Sequence, residues 1–164
     1  MSPGATVVLI IVVVLVIGAL GLAVIFSLMA DLGGDGWEDT RDVSREVLIE
    51  EGGHFRLLLS DSWGSQLLVN MSVRQLDGSR FDVYIMDSDQ YENAYGNLSS
   101  GAFSTLARWQ NVSALSDSVS IDDPRGPISL VVDNVDMPLV PGSTVPEGPI
   151  EVALDLAITS RYDY

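Results

Sequence analysis

Carboxylates gather at two places in the second half of this chain, Asp87-Ser88-Asp89 with Glu92, and Asp133-Asn134 with Asp136. Hard oxygen donors one and two residues apart at strand ends suit Ca2+, which takes six to eight oxygens at ~2.3–2.6 Å. The spacing is not that of an EF-hand, lacking the Gly at the sixth loop position and the Glu at the twelfth. Asp and Asn also end strands because their side chains hydrogen-bond the backbone of turns. Asp87, Asp89, Glu92, Asp133, Asn134 and Asp136 are therefore the candidate Ca2+ ligands, and no other cofactor is expected. A second candidate surface is aromatic. Tyr84, Tyr91, Tyr95, Phe103 and Trp109 fall in an irregular middle section, and some of them must be core. Loops carry many binding sites, so Tyr91, Tyr95 and Trp109, beside Asn and Asp, are candidate contacts for a carbohydrate or a protein.

Nucleophilic catalysis finds little support in the residue types. His54 is the one histidine and follows Gly52-Gly53, the setting of a turn residue. Serines are plentiful, yet no G-x-S-x-G elbow occurs. Nothing sets two carboxylates apart across a defined cleft as glycoside hydrolysis requires. The chain is expected not to be an enzyme. Three N-x-S sequons, at Asn70, Asn97 and Asn111, are candidate glycan acceptors, which function only outside the cytoplasm.

Ahead of these groups, the run from Ala5 to Ala30 holds no charged side chain. A helix over Val7–Ala30 would be about 36 Å long at ~1.5 Å per residue, enough to cross a hydrocarbon core of roughly 30 Å. A cleaved signal peptide would have a basic start, a shorter apolar stretch and small residues before the cleavage point, and this segment has none of these. The expectation is an uncleaved single-pass anchor in the cell membrane, its partner the lipid bilayer. Ala19 and Ala23, with Gly18 and Gly21 beside them, give the small-xxx-small spacing of self-associating spans, so self-association through the helix is a further expectation. No Lys or Arg precedes the span, and Arg41 and Arg45 lie among acidic residues, so the basic-residue rule leaves orientation open. The sequons point the C-terminal domain outward, where other membrane or surface proteins are further possible partners.

The chain has 23 acidic residues against 8 basic, a net charge of −15, and no cysteine. Disulfides and thiolate metal sites are excluded, and so acidic a surface repels nucleic acid. The divisions read as an anchor (1–30), an acidic Gly-rich stalk (31–43), a β-domain (44–160) and a tail (161–164). Within the domain, Arg45–Glu50, Phe55–Ser60, Ser65–Leu76, Phe81–Met86, Val119–Ile121, Ile128–Asp133 and Ile150–Thr159 alternate apolar and polar residues. Period-2 segments with one wet face predict an all-β fold, an antiparallel β-sandwich behind one N-terminal transmembrane α-helix. Gln90–Asn97 predicts a helical turn, and Ala102–Arg108 a short helix or edge strand. Trp37 is expected either at headgroup level or packed under the domain.

Phe81-Asp82-Val83-Tyr84-Ile85-Met86-Asp87, Gln90-Tyr91-Glu92-Asn93, Ile128-Ser129-Leu130-Val131-Val132-Asp133-Asn134 and the strand within Pro149–Thr159 resemble the membrane-anchored GOLD-like β-sandwich proteins of archaea and bacteria. That family is distantly similar to the luminal domain of eukaryotic secretory cargo receptors, and the resemblance implies a non-enzymatic binding or structural module. Here the anchor precedes the domain, whereas cargo receptors carry it afterwards and usually have a disulfide. Ser2-Pro3, Val7–Ala30 and Asp31-Leu32-Gly33-Gly34 resemble the N-terminal helix of archaeal type IV pilins, which implies a filament subunit with that helix in the filament core. A calcium- or glycan-dependent adhesion domain is the third reading.

Overall fold

The computed structural model describes residues 37–61, 64–77, 79–96, 103–137 and 140–162, within the second of two units into which the chain divides, Trp37–Tyr164. The expected membrane helix lies outside the described residues. Among the described residues no helix is long and apolar enough to cross a membrane.

Eight strands form two four-stranded antiparallel sheets. They are β1 (Trp37–Ile49), β2 (His54–Ser60), β3 (Gln66–Gln75), β4 (Phe81–Asp87), β5 (Ala107–Val112), β6 (Ala114–Asp122), β7 (Ile128–Asp133) and β8 (Ile150–Tyr162). The first sheet has the order β1-β8-β3-β6 and the second β2-β7-β4-β5. The inner faces meet in one apolar core. Leu67, Val69, Met71 and Val73 of β3 and Ile150, Val152, Leu154, Leu156 and Ile158 of β8 pack with Phe81, Val83 and Ile85 of β4 and Ile128, Leu130 and Val132 of β7. Burying such side chains contributes about 1.5–3 kcal/mol each, and the alternation visible in the sequence sets which face they occupy.

Three departures from that alternation matter. β1 begins at Trp37, inside the segment read as stalk, and pairs with β8 over its whole length, from Trp37 opposite Tyr162 to Ile49 opposite Ile150. Its polar sequence carries little strand signal, so the hydrogen-bond ladder of β8 dictates its conformation. β6 extends well beyond the expected Val119–Ile121, and β5, an edge strand of the second sheet, overlaps only the end of the Ala102–Arg108 segment read as a short helix or edge strand. Finally, β4 and β7 are buried on both faces rather than having one wet face. Described residues between β4 and β5 pack on the outer face of their sheet. There Ser88–Tyr91 forms α1, continued by a π-helical turn over Glu92–Gly96, in accord with the helical turn expected near Gln90. Tyr91, Tyr95 and Phe103 close over Tyr84, Met86, Ala94 and Val131 in a second apolar cluster.

Both edges of the first sheet carry charged side chains on their core-facing side. On β1, Arg41 and Arg45 alternate with Val43 and Val47, which pack against the core. Arg41 donates to the carbonyls of Leu58 and Leu59 at 2.8 and 3.3 Å, and the Arg45 guanidinium lies 5.8 Å from the Phe55 ring centroid. On β6, Asp117 sits between Leu115 and Val119 and accepts the Trp109 indole N–H at 2.9 Å. Inward charges on edge strands oppose the addition of a further strand from another chain.

Candidate functional site

Asp82 and Asp133 are direct cross-strand partners on β4 and β7, on the outer side of the second sheet. Each is 1 % exposed. In register, their β-carbons stand roughly 5 Å apart, so two carboxyl groups share one small volume from which water is excluded.

Asp82 organises its surroundings. Register runs from Phe81 opposite Val112 to Val83 opposite Trp109, so Gln110 and Asn111 together oppose Asp82. This is a β-bulge, with Asn111 in the left-handed region at φ 56°. The bulge turns the Asn111 N–H onto Asp82 Oδ1 at 2.7 Å. Tyr84 donates its hydroxyl to Oδ2 at 2.8 Å, and the Thr144 N–H donates to Oδ2 at 3.0 Å. The Thr144 hydroxyl donates to Oδ1. Four donor groups from three segments converge on one carboxylate, an arrangement suited to its charged form. Arg80 then ties down the outside of the bulge, donating to the Asn111 carbonyl at 2.7 Å.

Asp133 is treated differently. Oδ1 accepts the Val135 N–H at 3.2 Å, whereas Oδ2 is buried with no hydrogen-bond partner. The Tyr95 hydroxyl bears on this carboxyl, but it too makes no hydrogen bond of proper geometry. Burial, and after it the charge of Asp82, pushes Asp133 up to about 8. At neutral pH Asp133 therefore keeps its proton. Burial likewise raises the Tyr84 and Tyr95 phenols, which stay neutral. Opposite Asp133 on β2 stands His54. Its Nε2 is 2.7 Å from the Tyr91 hydroxyl and its ring lies 4.2 Å from that of Tyr95. Burial, followed by the neighbouring Arg56 charge, lowers its pKa and favours the neutral ring.

The candidate Ca2+ ligands are not brought together as one group. Asp87 pairs with Ile128 while Asp133 pairs with Asp82, so the two carboxylate clusters lie at opposite ends of the sheet. Five residues of strand separate them, about 17 Å at ~3.4 Å per residue. Asp87 caps α1 by accepting the Gln90 N–H at 2.8 Å, with Gln90 answering the Asp87 N–H. Asp89 and Glu92 are exposed on the helical turns, and Asp136 is exposed beyond β7. Asn134 is buried, and its amide nitrogen donates to the carbonyls of Ile49, Glu50 and Gly148. It works as a latch between the β1–β2 turn and the approach to β8. Among the described residues no three His, Asp or Glu side chains are grouped to hold a metal ion.

The candidate aromatic contacts are likewise occupied within the fold. One face of Tyr91 carries the Arg56 guanidinium at 3.9 Å, and its ring lies 5.2 Å from that of Tyr95. Trp109 packs against the main core while its N–H serves Asp117. Asp82 is the site residue that residue-type reasoning passes over. Its one sequence signal is a carboxylate inside the otherwise apolar run Phe81–Met86.

The open surface is the outer face of the first sheet. Its rows run Asp42, Ala157, Asn70, Ser118, then Ser44, Asp155, Ser72, Ser116. Small side chains leave a shallow trough of about 700 Å³. The Ser44 hydroxyl donates to Asp155 at 2.6 Å within it. Of the sequons, Asn70 is exposed on this face, Asn111 is exposed at the bulge, and Asn97 lies outside the described residues.

No family model matches the sequence, and no curated protein matches it. Among solved structures, the chain is similar to a subunit of Bacillus endospore appendages, described as disulfide-linked pili, at 6% identity and a TM-score of 0.45. That alignment covers 79% of this chain and 93% of the other. It is also similar to the Aeromonas hydrophila periplasmic inhibitor of g-type lysozyme, at 12% identity and a TM-score of 0.33, covering 77% of this chain and 88% of the other. Neither likeness is close enough to carry a function to this chain.

Proposed function

We propose that this is a single-pass membrane protein that displays its β-domain outside the cytoplasm as a non-enzymatic binding or structural module. One observation carries the non-enzymatic part. The groups best equipped for acid–base work, Asp82 and Asp133, are each 1 % exposed. Asp82 spends its oxygens on the Asn111 bulge, Tyr84 and Thr144, and a catalytic acid or base must reach the proton it transfers. The charge-free run Ala5–Ala30 supports the anchor. The sequons support outward display, and the GOLD-like resemblance of the Phe81–Asp87 and Ile128–Asn134 segments supports a recognition role.

Protease treatment of intact cells, followed by detection of the full-length chain, tests the reading. Loss of the full-length band with a membrane-retained stub supports it. Full protection until the membrane is broken overturns outward display. Sheared extracellular filaments containing the chain would move the function to a pilin-like subunit. A Ca2+-dependent rise in melting temperature at millimolar metal would move it to calcium-dependent adhesion.

A further inference from the structure

We propose that Asn70 carries an N-linked glycan whose first sugars lie in the trough on the outer face of the first sheet. This rests on the outward display proposed above. In an extended strand residues i and i+2 project from the same face, so the Asn70 carboxamide and the Ser72 hydroxyl of the sequon stand together at the middle of β3. Across the strands Asn70 meets Ala157 and Ser118, and Ser72 meets Asp155 and Ser116. None of these neighbours is large enough to fill the space above the sheet, and the trough of about 700 Å³ is the result. Its walls offer carboxylate and hydroxyl groups, from Asp42, Asp155 and the serines, that match sugar hydroxyls as hydrogen-bond partners. The Asn70 side chain is exposed and has no hydrogen bond to another described residue, so attachment breaks no contact of the fold.

Asn111 is the weaker acceptor on the same criteria. Its backbone N–H and carbonyl are held by Asp82 and Arg80, its φ is 56°, and its side chain shares a cleft with Arg80 and Glu147. The transfer itself needs a lipid-phosphate-linked glycan as donor. The Asn70 amide nitrogen forms the bond to C1 of the first sugar, the C1–O bond to phosphate breaks, and the lipid phosphate leaves. The amide proton passes to the transferase. The extended acceptor is available before β3 pairs with β6 and β8. Once in place the glycan covers the only wide uncovered sheet face among the described residues, hydrating it and keeping it from stacking on another sheet.

The test is peptide mass mapping of the full-length chain isolated from its own membranes, beside Asn70→Gln and Ser72→Ala variants. The peptide containing Asn70 is expected to carry a sugar mass series that both variants lose, while their melting temperatures stay within a few degrees of the unmutated chain. An unmodified Asn70 peptide, or a glycan at Asn111 alone, in a chain that protease reaches on intact cells overturns this inference and leaves outward display standing. Protection from protease together with an unmodified peptide overturns both.

Discussion

Replacing Asp133 by Asn removes a buried acid whose ionisation opposes the fold. In the folded chain Asp133 holds its proton up to about pH 8, whereas the unfolded chain releases it near the ordinary value of 3.8. Between those values the folded state binds more protons than the unfolded one, so stability falls as pH rises from about 4 to about 8 and is level below that window. At 1.36 kcal/mol per pKa unit, the loss between pH 5 and pH 8 has an upper bound of roughly 3–4 kcal/mol. Asn keeps the shape of the side chain, and its carbonyl oxygen can still accept the Val135 N–H. The assay is denaturant unfolding of the full-length chain in detergent at pH 5, 6, 7 and 8. The unmutated chain is expected to lose stability across this series, while the Asp133→Asn chain loses markedly less and is the more stable of the two at pH 8. His54 acts with the opposite sign. Its lowered pKa means stability is lost as pH falls through the histidine range, in both chains alike. Parallel pH profiles for the two chains would refute the account of a protonated, buried Asp133.

Two further substitutions probe the same fold. Tyr84→Phe deletes a donor to a buried carboxylate and is expected to cost about 1.5–3 kcal/mol. Tyr95→Phe deletes a hydroxyl that bears on Asp133 without a hydrogen bond of proper geometry and is expected to cost less than Tyr84→Phe; a larger loss for Tyr95→Phe in thermal unfolding would reverse this reading. Asp117→Val removes an inward charge from the β6 edge and leaves the Trp109 N–H unserved. Concentration-dependent association in light scattering is the expected outcome, and a chain that stays monomeric at high concentration would show that the charge does not guard that edge.

The main strands were legible because their inner faces alternate. Leu67, Val69, Met71 and Val73, like Ile150 through Ile158, announce both their conformation and the face they bury. What was not legible depends on partners distant in sequence. β1 takes its strand form from β8, more than a hundred residues away, with Thr40 bonded to Thr159 and Arg161 to Glu38 across the pair. The second face of β4 and β7 is buried where Tyr91, Tyr95 and Phe103 pack over it and Thr144 bonds Asp82. Asp87, Asp89, Glu92, Asp133, Asn134 and Asp136 have the right chemistry for Ca2+. Spacing along a chain, however, does not fix separation along a sheet, and antiparallel pairing sends the two clusters to opposite ends. Asp82 escaped notice for the converse reason. A lone carboxylate in an apolar run has no local signature of the Thr144, Tyr84 and Asn111 donors that complete it.

The two sheets therefore reach the outside in opposite ways, and the difference bears on where a partner can bind. On the outer face of the second sheet, Tyr91, Tyr95 and Phe103 pack over Tyr84 and Val131, and Asp82, Asp133 and Tyr84 are buried there. The first sheet leaves its outer face bare but keeps it polar, with Ser, Asn, Asp and Ala at the centre. Its edges carry Arg41, Arg45 and Asp117 facing inward. A partner that adds a strand would have to displace those charges, whereas one that lies on the flat face displaces only water. The recognition role proposed for this domain, and the glycan proposed at Asn70, both fall on this face, and substitutions of Asp42, Ser72 or Asp155 are the ones expected to alter them without touching the core.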